Sequence, residues 1–243
     1  MKVPLNWVVW KQFKPGKLLT LFFLVFFTLF VLLGTWQLNR AKEKTQLAIL
    51  VNESARQFTA ELPVLPYVSY RIAGRFLPEP VFYMDNRTLE GQAGYEIWAF
   101  FETNEGTWLV STGWLAGQEL RSQLPEPNLS QLFMALEIIV RPDSENPMYG
   151  VEANQKASDS SSAWLVQSLN KEWLNTTWPN QALLGLAQMK DPQLYGVGPS
   201  VWQPSVMTVE KHQGYALQWF GMSMALLGMF LYAGFAKKEQ NNK

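Results

Sequence analysis

Residues 18–36 read LLTLFFLVFFTLFVLLGTW, nineteen in succession without a charge. A bilayer core needs about 20 apolar residues as helix, so this stretch is long enough to cross one. It is apolar on every face, unlike the one-sided stripe of a surface helix. Residues 215–236, YALQWFGMSMALLGMFLYAGFA, form a second uncharged run of twenty-two. The two runs lie near the chain ends and predict two membrane helices bracketing everything else. Lys11, Lys14 and Lys17 precede the first run, as in a signal peptide. The run exceeds the usual ~7–15 apolar residues, and Gly34-Thr35-Trp36-Gln37-Leu38 has no small-x-small cleavage site, so it reads as an uncleaved anchor.

Orientation follows from lysine and arginine near the spans. Lys2, Lys11, Lys14 and Lys17 precede the first, and Lys237, Lys238 and Lys243 follow the second. Arg40, Lys42, Lys44 and Lys211 flank the inner ends. The excess at the chain ends predicts both termini in the cytoplasm. The expected layout is a cytoplasmic N-terminus (1–17), a transmembrane helix (18–36), a periplasmic α+β domain (37–214), a second transmembrane helix (215–236) and a cytoplasmic tail (237–243). A bacterial inner membrane protein, multi-pass and in contact with lipid, fits this layout.

Between the spans, Leu47, Ala48, Val51, Ala55 and Phe58 recur at helical spacing, so the first helix is expected to continue to Phe58, with Pro63 and Pro66 ending it. Runs rich in Val, Ile, Tyr, Phe and Trp then predict strands at Tyr67–Phe76, Val81–Asp85, Tyr95–Thr103, Thr107–Gly113 and Leu132–Arg141. Asn104-Glu105-Gly106 reads as a hairpin turn. Leu115–Leu124 and Lys171–Met189 look helical, the latter interrupted at Trp178-Pro179, and Gln155–Ser162 reads as a polar loop. The fold class is a membrane α+β protein: two transmembrane helices flanking an extracytoplasmic, mostly antiparallel β domain, a sheet or small barrel, with a few helices.

The 243 residues contain no cysteine and one histidine. Disulfides, thiolate-held zinc, iron–sulfur clusters and thiol nucleophiles are thereby excluded, as are His-rich metal sites. There is no GxxxxGK[ST], and no GxGxxG after a strand. The net charge of zero is a sum of opposites: residues 45–205 hold seventeen acids and nine bases, a balance of −8, and the remaining segments carry +8. An acidic middle domain argues against nucleic acid as a partner. A carboxylate pair of the glycosidase kind stays open among the seventeen acids, beside the simpler reading of solvated surface charge.

His212 is the residue with distinctive chemistry. At 100° per residue it shares one side of the second helix with Tyr215, Ala216, Trp219, Phe220, Ser223 and Phe230. Gly214, Gly221, Ala225 and Gly228 lie roughly opposite, and such a stripe lets another membrane helix approach closely. The first helix is the expected partner for that stripe, which would turn the His–Tyr–Trp side outward. An imidazole there could ligate the iron of a membrane-soluble haem. It could equally be an interfacial residue within an aromatic belt.

Several stretches resemble the surfeit locus protein 1 family. Leu33-Gly34-Thr35-Trp36-Gln37-Leu38-Asn39-Arg40 is similar to its LGxWQxxR junction, and Ile72-Ala73-Gly74-Arg75-Phe76 to its first-strand GxF. Arg87 with Gly94-Tyr95-Glu96-Ile97 resembles its R…GY stretch, and Leu109-Val110-Ser111-Thr112-Gly113-Trp114 its LVNRGW strand. His212-x-x-Tyr215-Ala216-x-x-Trp219-Phe220 resembles the motif that opens its second span. The chain departs at Ser111 and Thr112, where the family has Asn-Arg, and at Glu210 and Lys211, where Asn-Asn is common.

The resemblance implies a non-enzymatic assembly factor for haem–copper oxidases, chiefly cytochrome c oxidase, that transiently holds haem a. It implies His212 as axial iron ligand. Tyr215 and Trp219 would flank the porphyrin, and Lys211 or Arg40 would meet its propionates. The expected partners are the oxidase catalytic subunit and haem A synthesis or other assembly factors. A haem-free scaffold that stabilises an oxidase subunit is the alternative, and a membrane-anchored periplasmic hydrolase is a third.

Overall fold

The computed structural model describes residues 13–118, 120, 123–143, 150–157, 162–205 and 207–236. They form two compact units: a helical one, from the chain up to Gln46 together with the chain from Ser205, and a β unit, Leu47–Pro204.

The helical unit is built from α1 (Lys17–Asn52) and α4 (Val209–Ala236). Both are long and apolar enough to cross a membrane. The last turn of α1 belongs to the β unit, where Ser69 Oγ donates to Val51 O at 3.4 Å. The helix stops at Asn52, short of Phe58. Arg56–Gln57 instead forms a short strand, β1, parallel to Tyr70–Arg71, and Phe58 is buried in the β core.

The other strands are β2 (Ser69–Leu89), β3 (Gln92–Thr103), β4 (Gly106–Ala116), β5 (Met134–Arg141), β6 (Gln155–Lys156), β7 (Ala163–Val166) and β8 (Leu183–Met189). In hydrogen-bonded order they run β3-β4-β8-β5-β2-β7-β6, and β2 also pairs with β3. That last pairing closes β2, β3, β4, β8 and β5 into a ring. Closure removes the exposed edges an open sheet would leave. The sheet is mixed: β4–β8, β2–β7 and β1–β2 are parallel and the other pairs antiparallel.

The strand β2 can serve neighbours on both sides because it is long and bends. Its register slips between Phe76 and Val81, across Pro78 and Pro80, neither of which has an N–H for a ladder. Before the bend it alternates strictly, with Tyr70, Ile72 and Phe76 buried and Arg71 and Arg75 exposed. Arg71 faces Glu137 and Arg75 faces Glu102 directly across the ladder, at 2.6 and 3.0 Å.

In β3 and β4 nearly every residue is buried, because both faces are covered. Ala99, Phe101, Trp108 and Val110 point into one core with Ile72, Ile138 and Ala187. Trp98, Phe100 and Leu109 point into another, with Phe82, Val166 and Leu174. Trp164, Trp173 and Trp178 pack edge-to-face around that second core, with ring centroids 5.2–5.7 Å apart.

The expected hairpin at Asn104-Glu105 joins β3 to β4, and Thr103 Oγ1 donates to Gly106 O at 2.7 Å. Two expected helices change. Leu115 and Ala116 complete β4 opposite Tyr95 and Gly94, so no helix starts there; residues 119, 121 and 122 of that stretch lie outside the described ones. Lys171–Met189 splits into α2 (Lys171–Thr177) and β8. Asn170 caps α2 by accepting from Trp173 N at 2.8 Å, and the helix ends before Trp178-Pro179, since a residue before proline avoids the helical region. Leu183–Met189 then fills the place between β4 and β5, and that burial outweighs its helix propensity. A four-residue helix, α3 (Pro192–Tyr195), follows. Gln155–Lys156, expected in a loop, pairs with Trp164–Leu165; residues 158–161 lie outside the described ones.

Candidate functional site

The helical unit is a heptad seam. On α1 the inward residues are Phe23, Phe27, Phe30, Gly34, Gln37 and Ala41, and on α4 they are His212, Ala216, Trp219, Ser223, Leu226 and Phe230. Both series step by four and three residues, the spacing that keeps two helices in contact along their length. The helices run antiparallel. Phe23 stacks on Phe230 with centroids 4.1 Å apart, Phe30 meets Trp219 at 5.8 Å, and Phe13 meets Phe230 at 5.4 Å. At Gly34 the packing is tight: a Cβ there would meet the Phe220 ring at 2.8 Å.

One turn further along the seam, His212 Nδ1 lies 2.7 Å from Gln37 Oε1. His212 is 6% exposed and Gln37 9%. Burying an amide and an imidazole is costly unless each finds a partner, and here each is the other's. The roles depend on the tautomer: an Nδ1–H would donate to the Gln37 carbonyl and leave the lone pair on Nε2.

The expected arrangement of α4 is reversed. His212 faces α1 and not outward. Gly214, Gly221 and Gly228 have nothing within 4 Å of a built Cβ, and Ala225 is exposed, so the small-residue stripe does not pack on α1. At the close contact the small residue comes from α1, Gly34, and α4 answers with the Phe220 ring. Tyr215 is 44% exposed and Trp219 half-buried. Lys211 is exposed, with its backbone N–H donating to the Thr208 hydroxyl at 3.4 Å. Arg40 sits over the half-exposed Trp36 ring, 5.7 Å from its centroid, and pairs with Glu43 at 2.7 Å.

A second polar cluster lies in the β unit, and no reading of spacing anticipated it. Glu96, on β3, is 1% exposed. It accepts from Arg141 of β5 at 2.5 Å and from Ser111 of β4 at 2.7 Å, with Arg87 Nε 3.7 Å away. Arg141 also donates to Gln188 of β8 at 3.2 Å and lies between the rings of Trp98 and Trp202, at 4.5 and 5.1 Å. Burial pulls the Arg141 pKa below its ordinary value, and Glu96 opposes that pull. The signal available in sequence was an acid inside the apolar run Tyr95–Phe101 and a base ending the apolar run Leu136–Arg141.

Motif residues surround this cluster. Trp114 Nε1 donates to Arg87 O at 3.0 Å, and Thr112, standing where an arginine is common, donates to Ile97 O at 3.1 Å. The buried cation beside Glu96 thus comes from Arg141. Among the buried polar residues described, Glu96 is the one acid, and its partners are two guanidinium groups and a hydroxyl. That is a satisfied structural pair, where a glycosidase needs two carboxyls about 5–9.5 Å apart. Among the described residues no group of three or more His, Asp or Glu could hold a metal ion.

A third core cluster holds Tyr83 with Tyr95 and Ile97, and the Tyr83 hydroxyl donates to Pro125 O at 3.0 Å. Burial and, secondarily, Glu126 push its pKa up to about 12. It therefore stays a neutral donor across the ordinary pH range.

Comparison with known proteins gives consistent matches. The model of the SURF1 family matches residues 24–224. A SURF1-like protein of Rickettsia felis is 22% identical over 227 residues, covering 86% of this chain and 93% of the relative. One from Rickettsia conorii is 27% identical over 220 residues, covering 86% and 89%. One from Rickettsia bellii is 34% identical over a shorter stretch of 102 residues, 39% of this chain and 42% of the relative.

Proposed function

The chain belongs to the SURF1 family, and from that premise we propose that it is a membrane-anchored assembly factor for a haem–copper oxidase of the cytochrome c oxidase type, holding haem a transiently before its insertion into the catalytic subunit. The observation that carries this reading is the state of the lone histidine. Its Nδ1 is engaged by Gln37 at 2.7 Å, so Nε2 is the ring nitrogen left for iron. Histidines that ligate metals characteristically donate their other nitrogen to an oxygen in this way. The donor chemistry therefore fits an axial ligand.

The residues that would hold haem a are His212 as ligand, Tyr215 and Trp219 as apolar flanks, and Lys211 or Arg40 for the propionates. Lys211 is exposed, whereas Arg40 is already paired with Glu43. Haem, when bound, would supply the iron centre to be delivered, and a single protein ligand, His212, would suit its handover. The chain's own contribution is to bind and release, so we read it as a carrier and not an enzyme. His212 is 6% exposed, so ligation requires the neighbours that cover it to move, and restricted access suits brief occupancy. In this reading both termini are cytoplasmic, the β domain is periplasmic in a bacterial inner membrane, and its acidic surface meets the oxidase subunit or the haem A synthesis machinery.

The open face of Gly214, Gly221, Ala225 and Gly228 favours a second reading, a haem-free scaffold that docks a helix of an oxidase intermediate there. Absorption spectra separate the two. Protein purified from cells that make haem a is expected to carry it as wild type and as Gly221→Leu, and to lose it as His212→Ala. Equal haem content in wild type and His212→Ala sinks the ligand assignment. An oxidase-assembly defect in Gly221→Leu with none in His212→Ala selects the scaffold.

A further inference from the structure

We infer that Gln37 is the positioning residue of His212: its carbonyl accepts a hydrogen bond from Nδ1–H and fixes the imidazole as the tautomer with its lone pair on Nε2. The inference deepens the haem-holding reading and rests on it only for its functional meaning.

Four observations support it. The contact is short, 2.7 Å, and both side chains are buried, so water does not compete for either group. Gln37 sits on α1 between Gly34 and Ala41, one turn to either side, all three buried in the seam. Gly34 has no side chain of its own in the seam, which leaves the space beside Gln37 to the Phe220 ring. On the Gly34 side the seam holds Gln37 in place, because Phe220 fills the space there. Finally, His212 is the chain's one histidine, so no second imidazole can take over its role.

A neutral imidazole free in water favours the proton on Nε2, the nitrogen a metal would need. A fixed acceptor at Nδ1 reverses that preference and raises the basicity of Nε2 as a ligand. The opposite orientation of the glutamine amide, with its NH2 donating to Nδ1, would put the proton on Nε2 and block ligation. The two orientations thus predict opposite tautomers. Gln37 and His212 lie 175 residues apart, on different helices. On this inference the WQ of the first helix and the histidine of the second form one ligand unit.

The test uses the full chain in lipid nanodiscs, labelled with 15N-histidine and held above pH 7.5. One histidine gives one pair of ring nitrogen signals, and their couplings to the ring protons report which nitrogen is protonated. Wild type is expected to carry the proton on Nδ1. Gln37→Leu is expected to revert to Nε2, and Gln37→Glu, which keeps an acceptor oxygen, to restore Nδ1. Titration with hemin should then show about 10–100-fold weaker binding in Gln37→Leu and near wild-type binding in Gln37→Glu. An Nε2 proton in wild type, or the same tautomer in wild type and Gln37→Leu, overturns the inference. The expected tautomers with unchanged hemin affinity in His212→Ala would instead support the positioning role and overturn the haem reading.

Discussion

Glu96→Ala is expected to destabilise the β domain by about 3–5 kcal/mol, the range for removing one partner of a buried ion pair. The substitution leaves the Arg141 guanidinium charged, walled by the Trp98 and Trp202 rings, with Gln188 as its remaining neutral acceptor. It also strips the Ser111 hydroxyl of its acceptor. The loss is therefore chiefly the cost of an uncompensated buried cation. The pair itself is worth less, since taking two charges out of water nearly cancels their attraction. Glu96→Leu combined with Arg141→Met should accordingly recover much of the loss. Urea unfolding of the full chain in micelles, followed by tryptophan fluorescence, reads both effects, because Trp98 and Trp202 border the pair. A loss under about 1 kcal/mol for Glu96→Ala, the range of an exposed ion pair, would contradict the account.

Gly113→Val is expected to be comparably damaging. Gly113 has φ +122°, a conformation a side-chain-bearing residue adopts only at a cost of about 1–3 kcal/mol. It is also where the chain around Gly198 crosses β4: a Cβ at Gly113 would run into the Gly198 carbonyl, and Trp114 N donates to Pro199 O at 2.9 Å. Valine meets both obstacles, being β-branched and larger. The expected result is a chain that fails to accumulate or unfolds at much lower urea. Wild-type unfolding in Gly113→Val would show that this crossing gives way easily. Serine, threonine, glycine and tryptophan at 111–114 thus serve one corner of the barrel, which explains the stretch without any ligand.

What could be read from sequence was what depends on neighbours in sequence. The two long apolar helices, the turn at Asn104-Glu105 and the alternation of Tyr70 to Phe76 are local patterns, and the structure bears them. The strand Leu183–Met189 was not legible, because its helix-compatible residues become a strand only through the gap between β4 and β5. Glu96 and Arg141 lie 45 residues apart, and their pairing follows from barrel closure. His212 faces inward because α4 carries a second periodicity that competes with the one its glycines mark. The series His212, Ala216, Trp219, Ser223, Leu226 and Phe230 matches Phe23, Phe27, Phe30, Gly34, Gln37 and Ala41 step for step. Gln37 stood within the quoted junction motif, but its partner could be found only in three dimensions.

The central claim, that His212 serves haem delivery to an oxidase, is tested most directly in cells. The measurement is the haem a absorbance of membranes, by reduced-minus-oxidised difference spectra, in cells lacking this chain and re-expressing either wild type or His212→Ala at equal protein level. The account predicts that wild type restores the oxidase haem a signal and that His212→Ala leaves it near the level of the deletion. Full restoration by His212→Ala would contradict it.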